Sequence, residues 1–221
     1  MWCSPVMALE RCAKTGGLEG IGMGADQLTQ LRLLFIEMCQ RAFSLGMQVA
    51  AGGNLSLRIG DDRYLIKPSG CSLRELGPED LLVSDGSGRV VEGRGRPTRE
   101  LPSHMAVYSA RLSIRAVVHY HSPFATAFAV SGRPLPLSTV HARRTLVEVP
   151  LVHPPGEGSP ELARALSEIF TRPQVAAVLL AQHGVLAAGE DLRQAQNLAE
   201  LVEESARIAL LACVLDRSFI G

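Results

Sequence analysis

The chain of 221 residues has no surplus charge of either sign, because 22 Lys and Arg meet 22 Asp and Glu. A balanced surface projects no net field toward nucleic acid or an anionic membrane. Neither partner is expected, and any anion site has to be built locally. Aromatic residues are scarce, at 5% against 47% apolar overall, which predicts an aliphatic core of Ala, Val and Leu. The five cysteines, Cys3, Cys12, Cys39, Cys71 and Cys213, are odd in number, scattered and without the pair spacing of a metal site. They read as reduced thiols in a cytoplasmic protein. No apolar run is long enough to span a bilayer. Residues 1–22 lack the continuous apolar stretch of a signal peptide, being broken by Gly16, Gly17, Gly20 and Gly22. Residues 1–25 read as a flexible extension and 26–221 as one catalytic domain, large enough to bury its own core.

Within that domain the hydrophobic period alternates between helix and strand. Leu28, Leu31, Leu34, Phe35, Met38 and Phe43 recur at helical spacing, with Gly46 as the stop. Residues 54–58 and 63–67 predict two strands around Gly60-Asp61-Asp62, and 81–84 with 89–91 a second pair around Asp85-Gly86-Ser87-Gly88. A helix is predicted from Thr98 as its N-cap, with Pro102 in its first turn. Further strands are predicted at 116–120, 146–151, 175–181 and 185–188. Further helices follow Ser122-Pro123, Ser159-Pro160 and Asp191. Neighbouring strands joined by tight turns imply an α/β layered fold with a mixed, mainly antiparallel sheet.

The sharpest chemical motif is His119-Tyr120-His121, at the end of Ala116-Val117-Val118. Residues i and i+2 of a strand share a face, so the two imidazoles project side by side. His183, after Val178-Leu179-Leu180-Ala181-Gln182 and before Gly184, stands at another strand end where the backbone can approach closely. Three histidines at strand ends have the composition of a catalytic zinc site. Read from the residues alone, His-x-His is equally a pair of histidines where a strand enters a loop. His104, one turn after Glu100, is either a supporting partner or a helix-surface residue, and His141 and His153 fall in loop-like segments.

Three loops could bind an anion. Ala51-Gly52-Gly53-Asn54 offers backbone N–H groups freed by glycine and the Asn54 amide. Pro68-Ser69-Gly70 offers a hydroxyl and an open N–H, and Thr98-Arg99-Glu100 a helix start with a guanidinium. Each alone is an ordinary turn. Their order along one chain is what points to function.

That order is Ala51-Gly52-Gly53-Asn54-Leu55-Ser56, Leu65-Ile66-Lys67-Pro68-Ser69-Gly70, Asp80-Leu81-Leu82-Val83, Gly93 to Pro97-Thr98-Arg99-Glu100, Ala116 to His121, and His183-Gly184. It resembles the class II aldolase/adducin family over roughly residues 26–215. The resemblance implies a central sheet of about nine strands between layers of helices, a three-layer α/β/α architecture. It implies a zinc ion, other divalent metals also fitting, held by His119, His121, His183 and Glu100, with Glu100 doubling as acid and base. It implies a substrate phosphate held by Asn54, Ser69, Gly70, Thr98 and Arg99, and a homotetramer with active sites between subunits. The activity implied is metal-dependent cleavage of a carbon–carbon bond in a small phosphorylated ketose, as in the fuculose-phosphate aldolases, by a retro-aldol path through a zinc-stabilised enediolate. The alternatives are decarboxylation of a 3-oxo-tetronate phosphate, or epimerisation or dehydration of a pentulose phosphate. The aldolases usually show Ser-Ser-Glu where this chain has Thr98-Arg99-Glu100, and a basic middle residue resembles the decarboxylases. Lys67 is similar to the epimerases, which carry Asp where Glu100 stands. The tyrosine that donates a proton in the aldolases has no counterpart in Leu137 to His141, so His141 or Tyr120 is the expected substitute.

Overall fold

The structure, a computed structural model, describes residues 24–153 and 156–219. The extension over residues 1–25 therefore falls outside the described residues but for its last two. The elements are α1 (Ala25–Ser44), β1 (Asn54–Gly60), β2 (Arg63–Ile66), β3 (Leu82–Ser84), β4 (Val90–Glu92), α2 (Leu101–Ala110) and β5 (Ala116–Tyr120). They continue with α3 (Pro123–Ser131), α4 (Val140–Thr145), β6 (Leu151–Val152), α5 (Pro160–Phe170), β7 (Ala177–Leu180), β8 (Gly184–Gly189) and α6 (Leu192–Phe219).

Among the described residues the strands form one sheet of eight, in the order β4-β3-β2-β1-β5-β8-β7-β6. Every pairing is antiparallel except β6 with β7. Alternation along the strands divides the core in two. Val118 and Tyr120 of β5 pack with Phe35 and Met38 of α1, Ala125 of α3, Ala142 of α4 and Val202 of α6. Val117, the residue before Val118, packs on the other face with Val107 and Tyr108 of α2 and Leu162 and Phe170 of α5. The three-layer α/β/α arrangement is the one expected, with eight strands in place of about nine. Nine is the count implied by the resemblance; the strands read from the sequence number eight. The one read at 146–151 is shorter than expected: β6 pairs Leu151 and Val152, with an isolated bridge from Glu148 to Val175, after a short helix, α4, that contains His141.

Two helix starts differ from their sequence signals. Helix α2 begins at Leu101, not Thr98, and Glu100 is its N-cap. Proline explains the shift. With Thr98 as N-cap, the missing N–H of Pro102 would fall where the first intrahelical bond back to residue 98 is due, and its ring would meet that carbonyl. Moving the N-cap two residues on places Pro102 in the first turn, and the Thr98 hydroxyl instead accepts the Glu100 N–H at 3.3 Å. At α3, Ser122 precedes Pro123 as expected but makes no side-chain cap. The Glu203 carboxylate of α6 accepts the N–H groups of Phe124 and Ala125, at 3.0 and 2.8 Å. A carboxylate at a helix N-terminus satisfies orphan donors and opposes the helix dipole. Glu203→Ala should therefore lower stability by about 1–2 kcal/mol in urea unfolding, and Ser122→Ala by less. The reverse ranking would return the cap to Ser122.

Candidate metal centre

The end of β5 brings two imidazoles onto the sheet face covered by α2. Asn54 is registered opposite His119 on β1, so its side chain shares that face. Antiparallel pairing of β5 with β8 brings His183 alongside, in the turn between β7 and β8. Gly184 permits the approach, since a Cβ there would collide with the Tyr120 carbonyl and stand 3.1 Å from the His121 ring. The N-cap position of α2 then drops Glu100, 3% exposed, onto the three rings.

The four side chains converge. Ring centroids are 4.8 Å apart for His119 and His121, 4.5 Å for His119 and His183, and 4.9 Å for His121 and His183. Glu100 Oε2 lies 3.4 Å from His119 Nε2, and Glu100 Oε1 lies 3.8 Å from His183 Nε2. One ligand atom from each of the four falls within 4.8 Å of the others. Burial, the first cause in each case, pushes all three imidazoles below their usual range. They stay neutral, with lone pairs available for a cation. Burial and then the nearby Glu157 charge push the Glu100 carboxyl up to about 7, against a hydrogen bond from Asn54 that lowers it. Glu100 Oε2 is buried without a hydrogen-bond partner. An unsatisfied buried carboxylate oxygen beside three neutral imidazoles is the donor set a divalent ion satisfies.

A cavity of about 240 Å³ opens beside these rings, lined by the 51–54 loop, Lys67, Ser69, Gly70, Thr98, Arg99, Glu100, His121 and Glu157. A β-bridge between Pro68 and Pro97 sets the second and third loops side by side. All five residues expected at the phosphate thus line one cavity, though two are already engaged. The Asn54 amide donates to Glu100 Oε1 at 3.2 Å, and the Ser69 N–H donates to the Arg96 carbonyl at 2.8 Å. Neither residue expected as the proton donor lies at this cluster within the chain. Tyr120 alternates to the opposite face of β5, fully buried, with its hydroxyl donating to Gln196 Oε1 at 2.6 Å. His141 lines a different cavity with Ala188 and Gly189, at the other end of β8 from Gly184. His104 is not a surface residue: it is fully buried, and its Nδ1 is 2.7 Å from the Ser56 hydroxyl, itself 2.7 Å from that of Tyr108.

Three residues at the site were not marked by the sequence reading as site residues. Lys67, 2% exposed, reaches the Ala51 carbonyl at 3.2 Å, and burial pulls its ammonium below the usual range. A charge closing the apolar run Leu65-Ile66 was its available signal. Glu157 arrives from the segment after β6 because Gly158 packs against the Arg99 carbonyl, and Gln48 abuts His121. Neither has a local signature, since each is a lone polar residue in a connection.

Residues 34–210 match the family described as Class II Aldolase and Adducin N-terminal domain. The L-fuculose phosphate aldolase of Methanococcus maripaludis is 35% identical over 174 residues, covering 79% of this chain and 93% of that protein. The 3-oxo-tetronate 4-phosphate decarboxylase of Haemophilus influenzae is 32% identical over 183 residues, 79% of this chain and 84% of that one. The solved structure of YgbL from Klebsiella pneumoniae, assigned no more finely than aldolase, epimerase or decarboxylase, matches with a TM-score of 0.77 at 33% identity, over 86% of this chain and 91% of that one. With a match across most of its length, and with three imidazoles and a carboxylate gathered at one end of its sheet, the chain belongs to the class II aldolase and adducin family.

Proposed function

We propose that Glu100, His119, His121 and His183 hold a divalent cation, zinc foremost, and that the chain cleaves a carbon–carbon bond of a small phosphorylated ketose. The observation that supports this most directly is the convergence of a buried carboxylate and three neutral imidazoles beside a cavity lined by two cations, Lys67 and Arg99. A bound divalent cation supplies a Lewis acid for a substrate carbonyl. The protein's own groups do the rest. Arg99 and Lys67 attract the phosphate, and the 69–70 and 98 positions orient it, which fixes the reacting end over the rings. Glu100, which lines the cavity and whose Oε2 has no hydrogen-bond partner, is the group that moves the proton. Family membership supports the reading as a lyase, and the absence among the described residues of any helix long and apolar enough to cross a membrane fits an aqueous substrate.

Decarboxylation of a 3-oxo-acid phosphate is the second reading. It is favoured by Arg99, which lines the cavity, and by the Haemophilus relative. Incubating metal-loaded protein with ketose phosphates and 3-oxo-acid phosphates, with assays for aldehyde and for CO2, separates the two. Aldehyde release supports the first reading and CO2 the second. An isomer of unchanged mass overturns both.

Arg99→Ala should raise the KM of the phosphorylated substrate roughly tenfold to a hundredfold, the worth of one charge-assisted hydrogen bond. The dephosphorylated analogue should be unaffected, and equal losses for both would remove Arg99 from the phosphate site. The homotetramer implied by the family is checked by sedimentation velocity, where monomer alone at working concentration would contradict it.

A further inference from the structure

We propose that Gln48 determines which ring nitrogen of His121 carries the proton, and through it how readily the histidine cluster accepts a cation. The inference rests on reading the four side chains as a cation site, but its first half concerns the metal-free protein alone.

Gln48 lies between α1 and β1, 3% exposed. Two contacts with the main chain orient its amide. Oε1 accepts the backbone N–H of His121 at 2.9 Å, and Nε2 donates to the Val49 carbonyl at 2.9 Å. Exchanging oxygen and nitrogen would set donor against donor at the first contact and acceptor against acceptor at the second. The other Nε2 hydrogen is therefore free for His121 Nδ1, 3.4 Å away. Facing a donor, Nδ1 serves as acceptor, and the ring proton resides on His121 Nε2.

The far end of the string is equally directional. His119 Nδ1 is 2.9 Å from the Val185 carbonyl, which can only accept, so His119 keeps its proton on Nδ1 and a lone pair on Nε2. His119 Nε2 and His121 Nε2 are 3.0 Å apart. The bond between them runs from the His121 Nε2–H to the His119 lone pair. Gln48, His121, His119 and the Val185 carbonyl thus form one relay with every donor matched to an acceptor.

Binding one cation through both Nε2 atoms breaks that relay. His119 is ready as it stands. His121 has to carry its proton on Nδ1 instead, where the Gln48 amide hydrogen opposes it. The amide must then turn and give up its main-chain contacts. The surrounding backbone is shaped to that amide: a Cβ at Gly52 would collide with Gln48 Nε2, and a Cβ at Gly53 would stand 2.7 Å from Gln48 Oε1. The paired glycines, read from sequence as a nest for an anion, make room for this side chain.

Glu at position 48 keeps the size and the acceptor for the His121 N–H, replaces the donor with an acceptor, and gives up the bond to the Val49 carbonyl. In metal-free wild type, long-range proton–nitrogen NMR of the histidine rings should show His121 as the Nε2–H tautomer, and in Gln48→Glu as the Nδ1–H tautomer. Competition of Zn2+ or Co2+ against a chelator should show Gln48→Glu binding at least about tenfold tighter, the scale of a partner outside the ligand shell. Added negative charge alone would tighten binding without moving the tautomer, so the NMR result separates positioning from charge. An Nδ1–H tautomer in wild type overturns the proposal without any variant, as does unchanged affinity in Gln48→Glu. Wild type that binds no cation would instead sink the reading of the cluster itself, while the tautomer measurement would still decide the relay.

Discussion

His119→Ala should lower the affinity for a divalent cation by roughly a hundredfold to a thousandfold, and take the activity with it. A four-ligand protein site is worth about 10–16 kcal/mol, so one ligand carries roughly 3–4 kcal/mol. His119 is the ligand to choose because it is fully buried, is anchored to the Val185 carbonyl and sits nearest Glu100. His183, 18% exposed at its side chain, should behave similarly with a smaller structural penalty, which makes His183→Ala the control for folding. Chelator competition measures the loss, and the melting temperature with and without metal gives a second readout. A cation should raise the melting temperature of wild type by mass action and leave that of His119→Ala nearly unchanged. Wild-type affinity in both variants would remove these histidines from the metal site.

Acid should unfold the protein through His104 before most carboxylates titrate. Burial holds the His104 imidazole down at about 3, against an ordinary value of 6.5. The sign follows from which state binds the proton. Below pH 6.5 the unfolded chain protonates this residue and the folded chain does not, so stability falls as pH drops and levels off near pH 3. Across that window the loss is about 5 kcal/mol, a large share of the stability of an ordinary domain. His119, also held neutral by burial, acts in the same direction, so the dependence does not rest on one residue. His104→Gln retains a polar group for Ser56 and removes the titration. Between pH 7 and pH 4 its stability should fall about 3 kcal/mol less than that of wild type. Comparing slopes cancels whatever the substitution costs at neutral pH, and an unchanged slope would show that His104 is not the buried acid trigger.

These two residues mark how far the sequence could be read. His119 was legible because a strand has period two: an apolar run ending in His-x-His can only present both rings on one face. His104 was not. Its spacing from Glu100 is as compatible with a helix surface as with a buried partner, and only the packing of α2 onto β1 places it against Ser56. Tyr120 shows the same rule from the other side. Alternation should have excluded it as a proton donor, since a residue between two same-face histidines must point away from them. The strand read at 146–151 came out shorter for another reason: a short apolar stretch carries no period long enough to fix where pairing begins.

The sequence by itself determined the alternation of helix and strand, the aliphatic core and the ordered string of His, Glu and Gly motifs that places the chain in its family, because these depend on local period and residue chemistry. Tertiary structure decided which polar residues share an environment. Gln48, Lys67 and Glu157 come from three separate connections, and no local rule says that they meet at one end of a sheet. Strand order and the close approaches allowed at Gly52, Gly53 and Gly158 bring them there. They also decide which imidazoles are dry, and so which remain neutral, and which nitrogen of His121 faces a donor. Those are the properties that set how this site holds a cation and moves a proton.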